Sequence, residues 1–205
     1  MASFRFQKGF AFSLIELLVV MAIIALLMAL SAPVLNSVLL GTQLARSGQL
    51  VHDQLALAAQ LSLSHNVPVE VRLYRYTEPN APEPREGTAA IQLFEIQDDG
   101  SAVPASPVRF LPEAFFIYDQ ETYSNISGLL PLQDGEIPIP RVGTNYHYRR
   151  FFFRPDGTTD LTEYDFMGKP PYLTVARRTV GTEVPANYYT IQIQPETGHL
   201  NVLRP

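Results

Sequence analysis

Residues 17–45 of this 205-residue chain carry no charged side chain, and Leu17–Leu30 is apolar without a break. Nothing else in the sequence constrains the fold as strongly. A helix over residues 12–35 is long enough to cross a bilayer. Arg5 and Lys8 precede it with no acid between, which predicts that the amino terminus stays cytoplasmic. A cleaved secretory signal is the competing reading, but the apolar run is long for one and Pro33 follows Ser31-Ala32 directly. Glu16 is the one strongly polar residue at the head of the run. A carboxylate inside an apolar helix costs on the order of 2–3 kcal/mol. It therefore sits at the headgroup boundary and snorkels, or it meets a positive charge at the same depth.

After Pro33 the helical pattern resumes. Leu44, Gly48, Val51, Leu55, Ala58 and Ser62 recur every three or four residues and form one face. Arg46, Gln49, Asp53 and Gln60 lie largely off it. Asn66 and then Pro68 predict a stop. A helix over residues 12–65 is roughly 80 Å long at 1.5 Å per residue. Proline within it removes a hydrogen bond and predicts a bend.

Past residue 66 the period changes from helical to two. Val67, Val69, Val71 and Leu73 alternate with polar or bulkier neighbours. Further strands are predicted over residues 89–97, 108–111, 114–118, 146–153, 172–178, 188–194 and 199–203. Residues 77–88 read as a proline-rich exposed loop, and residues 119–145 as a long irregular one, a type that is often functional or mobile. The expectation is an α+β fold, with a long amino-terminal helix covering one face of a small antiparallel sheet.

Composition closes several routes. The chain is 46% apolar and 17% charged, which excludes bulk disorder. Its net charge of −5 argues against a nucleic-acid polymer as main partner. With no cysteine there are no disulfides, zinc–thiolate sites or iron–sulfur clusters. His52, His65, His147 and His199 are scattered, with no nucleophile elbow near them. Asp156, Asp160, Glu163 and Asp165 gather around Gly157, but their spacing is not that of an EF-hand. Asp156, Asp160 and Asp165 are thus weak candidates for a metal beside a simpler turn reading. Arg149, Arg150, Arg154, Arg177 and Arg178 interleave with aromatics, as in a base-stacking surface or a half-exposed strand. No residue pattern indicates an enzyme or a cofactor.

Ala11-Phe12-Ser13-Leu14-Ile15-Glu16-Leu17-Leu18-Val19-Val20 resembles the class III signal of type IV pilins and type II secretion pseudopilins. Phe153-Arg154-Pro155-Asp156-Gly157 and the segment YYTIQIQPETGHLNV resemble the GspH/FimT-type minor pseudopilins. The order LARSGQLVHDQLALAAQ, VPVEVRLYRY, IQLFEIQDDG, FRPDGTTDL is similar to protein D of the Verru_Chthon cassette, a pilin-like family. The resemblance implies a leader over residues 1–11, cut by a prepilin peptidase between Ala11 and Phe12. It implies N-methylation of Phe12, pairing of Glu16 with a neighbouring subunit's terminal amine, and a helix-kinking Pro33. The family usually has glycine before the cut. Cutting at Gly9-Phe10 instead would place Glu16 two positions late.

On this resemblance the domains are the leader 1–11, an assembly helix 12–35, its amphipathic continuation 36–66 and a periplasmic β-rich domain 67–205. The implied partners are the peptidase, other pilin or pseudopilin subunits and the inner membrane, with entry into a pilus or pseudopilus. The rival expectation is a membrane-anchored binding or sensor domain that never polymerises, with its ligand in the loop at 119–145.

Overall fold

A computed structural model describes residues 13–77, 86–164, 166, 168–178 and 186–204, with the side chains of residues 29–37 excepted. The leader, Ala11, Phe12, most of the proline-rich loop and Asp165 lie outside the described residues. The chain divides into two compact units, Met1–Leu40 and Gly41–Pro205.

One helix, α1 (Leu14–His65), contributes its first part to the first unit and its remainder to the second. The helical path passes through Pro33. It ends where Asn66 takes φ of 57°. Asparagine tolerates this left-handed conformation better than most residues, and Pro68 then bars a further turn. In the first unit, the side chains from Leu14 to Met28 are exposed. Among the described residues, no helix is long and apolar enough to cross a membrane.

The second unit is an antiparallel sheet with the later part of α1 on one face. Its strands are β1 (Val69–Thr77), β2 (Glu86–Ile96), β3 (Ala102–Pro104), β4 (Arg109–Phe110), β5 (Phe115–Ile117), β6 (Gln133–Asp134), β7 (Tyr146–Phe153), β8 (Tyr172–Arg177), β9 (Tyr188–Ile193) and β10 (Leu200–Leu203). A short helix, α2 (Asn125–Leu129), lies between β5 and β6, and a 3₁₀ turn spans Asp160–Glu163. The strand order is β10-β9-β8-β5-β2-β1-β7-β6, with β3 and β4 also paired to β2.

Alternation decides which side chains meet the helix. Val69, Val71 and Leu73 of β1 pair in register with Glu95, Leu93 and Ile91 of β2. They pair likewise with Phe153, Phe151 and Arg149 of β7. The apolar members of these rows, with Leu173, Val175, Ile191 and Ile193, form the core beneath Leu44, Val51, Leu55 and Ala58. Each fully buried aliphatic side chain contributes roughly 1.5–3 kcal/mol. The expected helix stripe is therefore the stripe that packs, and Gly48 and Ser62 are buried with it.

The opposite face carries a second cluster of Tyr74, Tyr76, Ala89, Ala90, Tyr146 and Ile139, with Val142 and Phe110 against it. The segment 119–145 thus departs from the expected irregular ligand loop. Ile126 and Leu130 enter the main core, and Ile139 joins the cluster on the other face. The turn formers of this segment obscured those three apolar anchors in the sequence.

Candidate functional site

The start of α1 has a specific geometry. Ser13 Oγ accepts a hydrogen bond from the Glu16 N–H at 3.2 Å. Glu16 Oε2 accepts from the Ser13 N–H at 3.2 Å and from Ser13 Oγ at 3.3 Å. This reciprocal pair is a capping box, which satisfies N–H groups that the first helical turn leaves without partners. A carboxylate at this position also lies favourably at the positive end of the helix dipole. Glu16 therefore has a local structural job that the sequence reading overlooked. The signal was present as Ser-x-x-Glu ahead of an apolar run.

Of the other expected assembly residues, Phe12 lies outside the described residues and Pro33 is described in its backbone alone. The exposed Leu14 and Ile15 precede Glu16 on α1, and the exposed Leu17, Leu18 and Met21 follow it. This first unit thus presents one carboxylate at the head of a surface of large apolar side chains.

The acidic cluster after β7 separates into different tasks. Asp156 Oδ1 accepts from the Thr158 N–H at 2.9 Å and the Thr158 hydroxyl at 2.7 Å. These bonds hold its carboxyl below the ordinary value. Asp160 is buried, and its Oδ1 accepts from the Phe152 N–H at 2.7 Å. Burial pushes its carboxyl upward. Glu163 pairs with Arg154. Asp165 lies outside the described residues. Among the described residues no group of three or more side chains is arranged to hold a metal ion.

The interleaved arginines are mostly committed within the fold. Arg149 is buried, donating to the Leu130 carbonyl at 3.1 Å and to Asp119 Oδ1 at 3.3 Å. Glu70, 1% exposed, accepts from Arg72 and lies 3.5 Å from Arg150. Arg72 also stacks 3.9 Å from the centre of the Phe94 ring. Asp119 accepts from the Thr88 hydroxyl at 2.5 Å and lies 3.5 Å from Arg75, yet burial still raises its carboxyl. Buried charges of this kind need their partners, since removing one leaves the other uncompensated. Apart from Glu70 and Arg72, neighbours on one face of β1, these pairs join strands and loops far apart in sequence, so no local motif announced them.

Three of the histidines lie beside carboxylates. His52 Nδ1 is 3.3 Å from Asp53, His65 Nδ1 is 2.8 Å from Glu95, and His147 Nδ1 is 2.8 Å from Asp134. None has a nucleophilic hydroxyl bonded to it among the described contacts.

Among the described residues, open clefts mark the second unit. One of about 600 Å³ is lined by apolar Pro68, Ile96, Phe152 and Pro155 and by charged Arg154, Asp156, Asp160 and Glu163. Two smaller ones, of about 410 and 390 Å³, share Arg46 and Gln49 of α1.

No protein-family model matches the chain. No curated protein sequence matches it either. Two solved structures are similar in fold, both of the minor pseudopilin EpsH from the type II secretion system of Vibrio cholerae. Each is 14% identical with a TM-score of 0.44 and covers 80% of this chain. The shares of the EpsH chains covered are 98% and 95%.

Proposed function

We propose that this chain is a pilin-like structural subunit, a minor pilin or pseudopilin, that assembles through the start of α1. The observation that carries this reading is the placement of Glu16. It is the single charged side chain at the head of an exposed apolar helix, and that same helix supplies the stripe that packs the sheet. A subunit built this way presents its apolar helix to other helices and its sheet unit to the surroundings.

In the proposed cycle the chain waits in the inner membrane with residues 12–35 in the bilayer and the sheet unit in the periplasm. A prepilin peptidase removes residues 1–11, and Phe12 is methylated. Glu16 then pairs with the terminal amine of an adjacent subunit. Either charge alone would be costly in an apolar filament core, whereas the pair offsets that cost. Apolar helix–helix packing along Leu17–Leu30 supplies the rest.

Intact-mass and peptide spectra of chain recovered from membranes that contain an active prepilin peptidase test this reading. The expected amino terminus is methylated Phe12. An uncut terminus despite active peptidase would overturn the processing step and the filament mechanism with it.

A further inference from the structure

The two smaller clefts flank the first turns of α1 in the sheet unit. One is lined by Thr42, Ala45, Arg46, Gln49, Tyr189, Val202 and Arg204. The other is lined by Arg46, Gln49, Leu50, Asp53, Gln54 and Arg109. Arg46, Arg109 and Arg204 come from α1, β4 and the end of β10, and all three are exposed. None forms an ion pair among the described residues, in contrast to Arg72, Arg75, Arg149, Arg150 and Arg154. Arg204 is held over the Tyr189 ring at 4.9 Å, and the Tyr189 hydroxyl reaches Gln49 at 3.5 Å. The acid in these clefts is Asp53, already engaged by Gln49 Nε2 at 2.6 Å and His52 Nδ1 at 3.3 Å.

A chain of net charge −5 is on average repelled by an anionic surface. Three arginines lining adjoining clefts, with Asp53 as the one acid beside them, run against that average, and an anion placed there adds the counter-charge that a single carboxylate does not supply. Position along the chain says which anion. Arg46 is the first charged residue after Glu16, at the end of the uncharged stretch 17–45. With residues 12–35 in the bilayer as proposed above, Arg46 is the first charged side chain to follow that segment.

We propose that Arg46, Arg109 and Arg204 form a cationic collar that binds the phosphate groups of anionic phospholipids. The proposal rests on the membrane residence proposed above. Guanidinium groups fit phosphate oxygens in paired hydrogen bonds, and such attraction to anionic headgroups falls off within a Debye length. The collar holds the waiting subunit's sheet unit against the lipid surface, and it lets go when the helix leaves the bilayer for a filament.

The test uses the full chain reconstituted in vesicles of phosphatidylcholine alone or of phosphatidylcholine mixed with phosphatidylglycerol. An arginine-specific dicarbonyl reagent is applied and the modified peptides are quantified by mass spectrometry. Arg177, exposed on β8 and outside both clefts, is the internal reference. The expected result is several-fold slower modification of Arg46, Arg109 and Arg204 with phosphatidylglycerol, at an unchanged Arg177 rate and with the protection lost at high salt. Equal rates in both vesicles, with the chain resisting alkaline extraction, overturn the collar and leave the membrane reading standing. A chain that alkali strips from both vesicles overturns the membrane reading and the collar together. Equal protection by inorganic phosphate in phosphatidylcholine vesicles overturns the lipid in favour of a soluble anion.

Discussion

The ring of Tyr189 fills the space where Gly48 would carry a side chain. A Cβ on that glycine would stand 2.1 Å from the ring's Cγ and 2.4 Å from Cδ2. Gly48 thus lets the β9 ring lie directly against α1, while the ring's hydroxyl reaches Gln49 and Arg204 stacks over its face.

Gly48→Ala therefore destabilises the sheet unit. Alanine is the better helix former by about 1 kcal/mol, but forcing a methyl group into packed space costs typically 1–3 kcal/mol, and here the blocking atoms belong to a buried ring. Chemical denaturation of the single variants and of Gly48→Ala/Tyr189→Ala checks this. With the ring removed, Gly48→Ala turns from destabilising to stabilising. Additive effects in that cycle would contradict the contact.

The capping box lets the two roles of Glu16 be separated. Glutamine at the third helical position still returns a hydrogen bond to the cap residue, but it carries no charge. Glu16→Gln keeps the cap and loses the pairing charge, whereas Ser13→Ala loses about 1 kcal/mol of capping and keeps the charge. The proposed mechanism predicts that Ser13→Ala enters filaments and Glu16→Gln does not, as read by immunoblots of sheared filament fractions. Glu16→Gln assembling at wild-type level would make Glu16 a cap and nothing more.

What the sequence disclosed tracks how local the cause was. The stripe from Leu44 to Ser62 and the alternation of Val69, Val71 and Leu73 are periodicities of single elements, and both faces are buried as expected. The helix stop at Asn66 followed from one residue's tolerance of a left-handed backbone. The short β3, β6 and α2 were missed because they carry too few residues to show a period. Arg149 on the inner face was missed for another reason. Its place is set by Asp119 and the Leu130 carbonyl, which only the folded chain brings within reach. At the candidate site, Glu16 was legible as an anomaly of charge, while its bond to Ser13 was a spacing motif left unread.

Asp160 predicts an unusual response to pH. Burial is the largest influence on its carboxyl and raises it above the ordinary 3.8, against the opposing pull of the Phe152 N–H and Arg154. The folded chain thus holds this proton more tightly than the unfolded chain. The stability it contributes is present in full below 3.8 and is lost as pH rises through the raised value. Asp160→Asn retains an oxygen for the Phe152 N–H and removes the titration. The variant should equal or exceed the wild type in denaturant midpoint at neutral pH, with the gap closing toward acid. A gap that widens toward acid would refute the assignment.

Gln54 carries the last expectation. It is 9% exposed on α1, and its buried Oε1 has no hydrogen-bond partner among the described residues. A buried acceptor left unpaired costs about 1–3 kcal/mol in desolvation, whereas an apolar group of similar shape removes that cost. Methionine has nearly the same length and volume and adapts to irregular space. Gln54→Met should therefore raise the unfolding free energy by about 1 kcal/mol, read as a shift of the urea midpoint at constant slope. A loss of similar size would mean that water or a neighbouring donor already reaches Oε1 in solution. Leu55, the next residue, offers the contrast. It is fully buried in the core, and Leu55→Ala should cost about 2–5 kcal/mol. Adjacent residues on one helix thus carry effects of opposite sign, because one buries a carbon surface and the other buries an oxygen with nothing to accept.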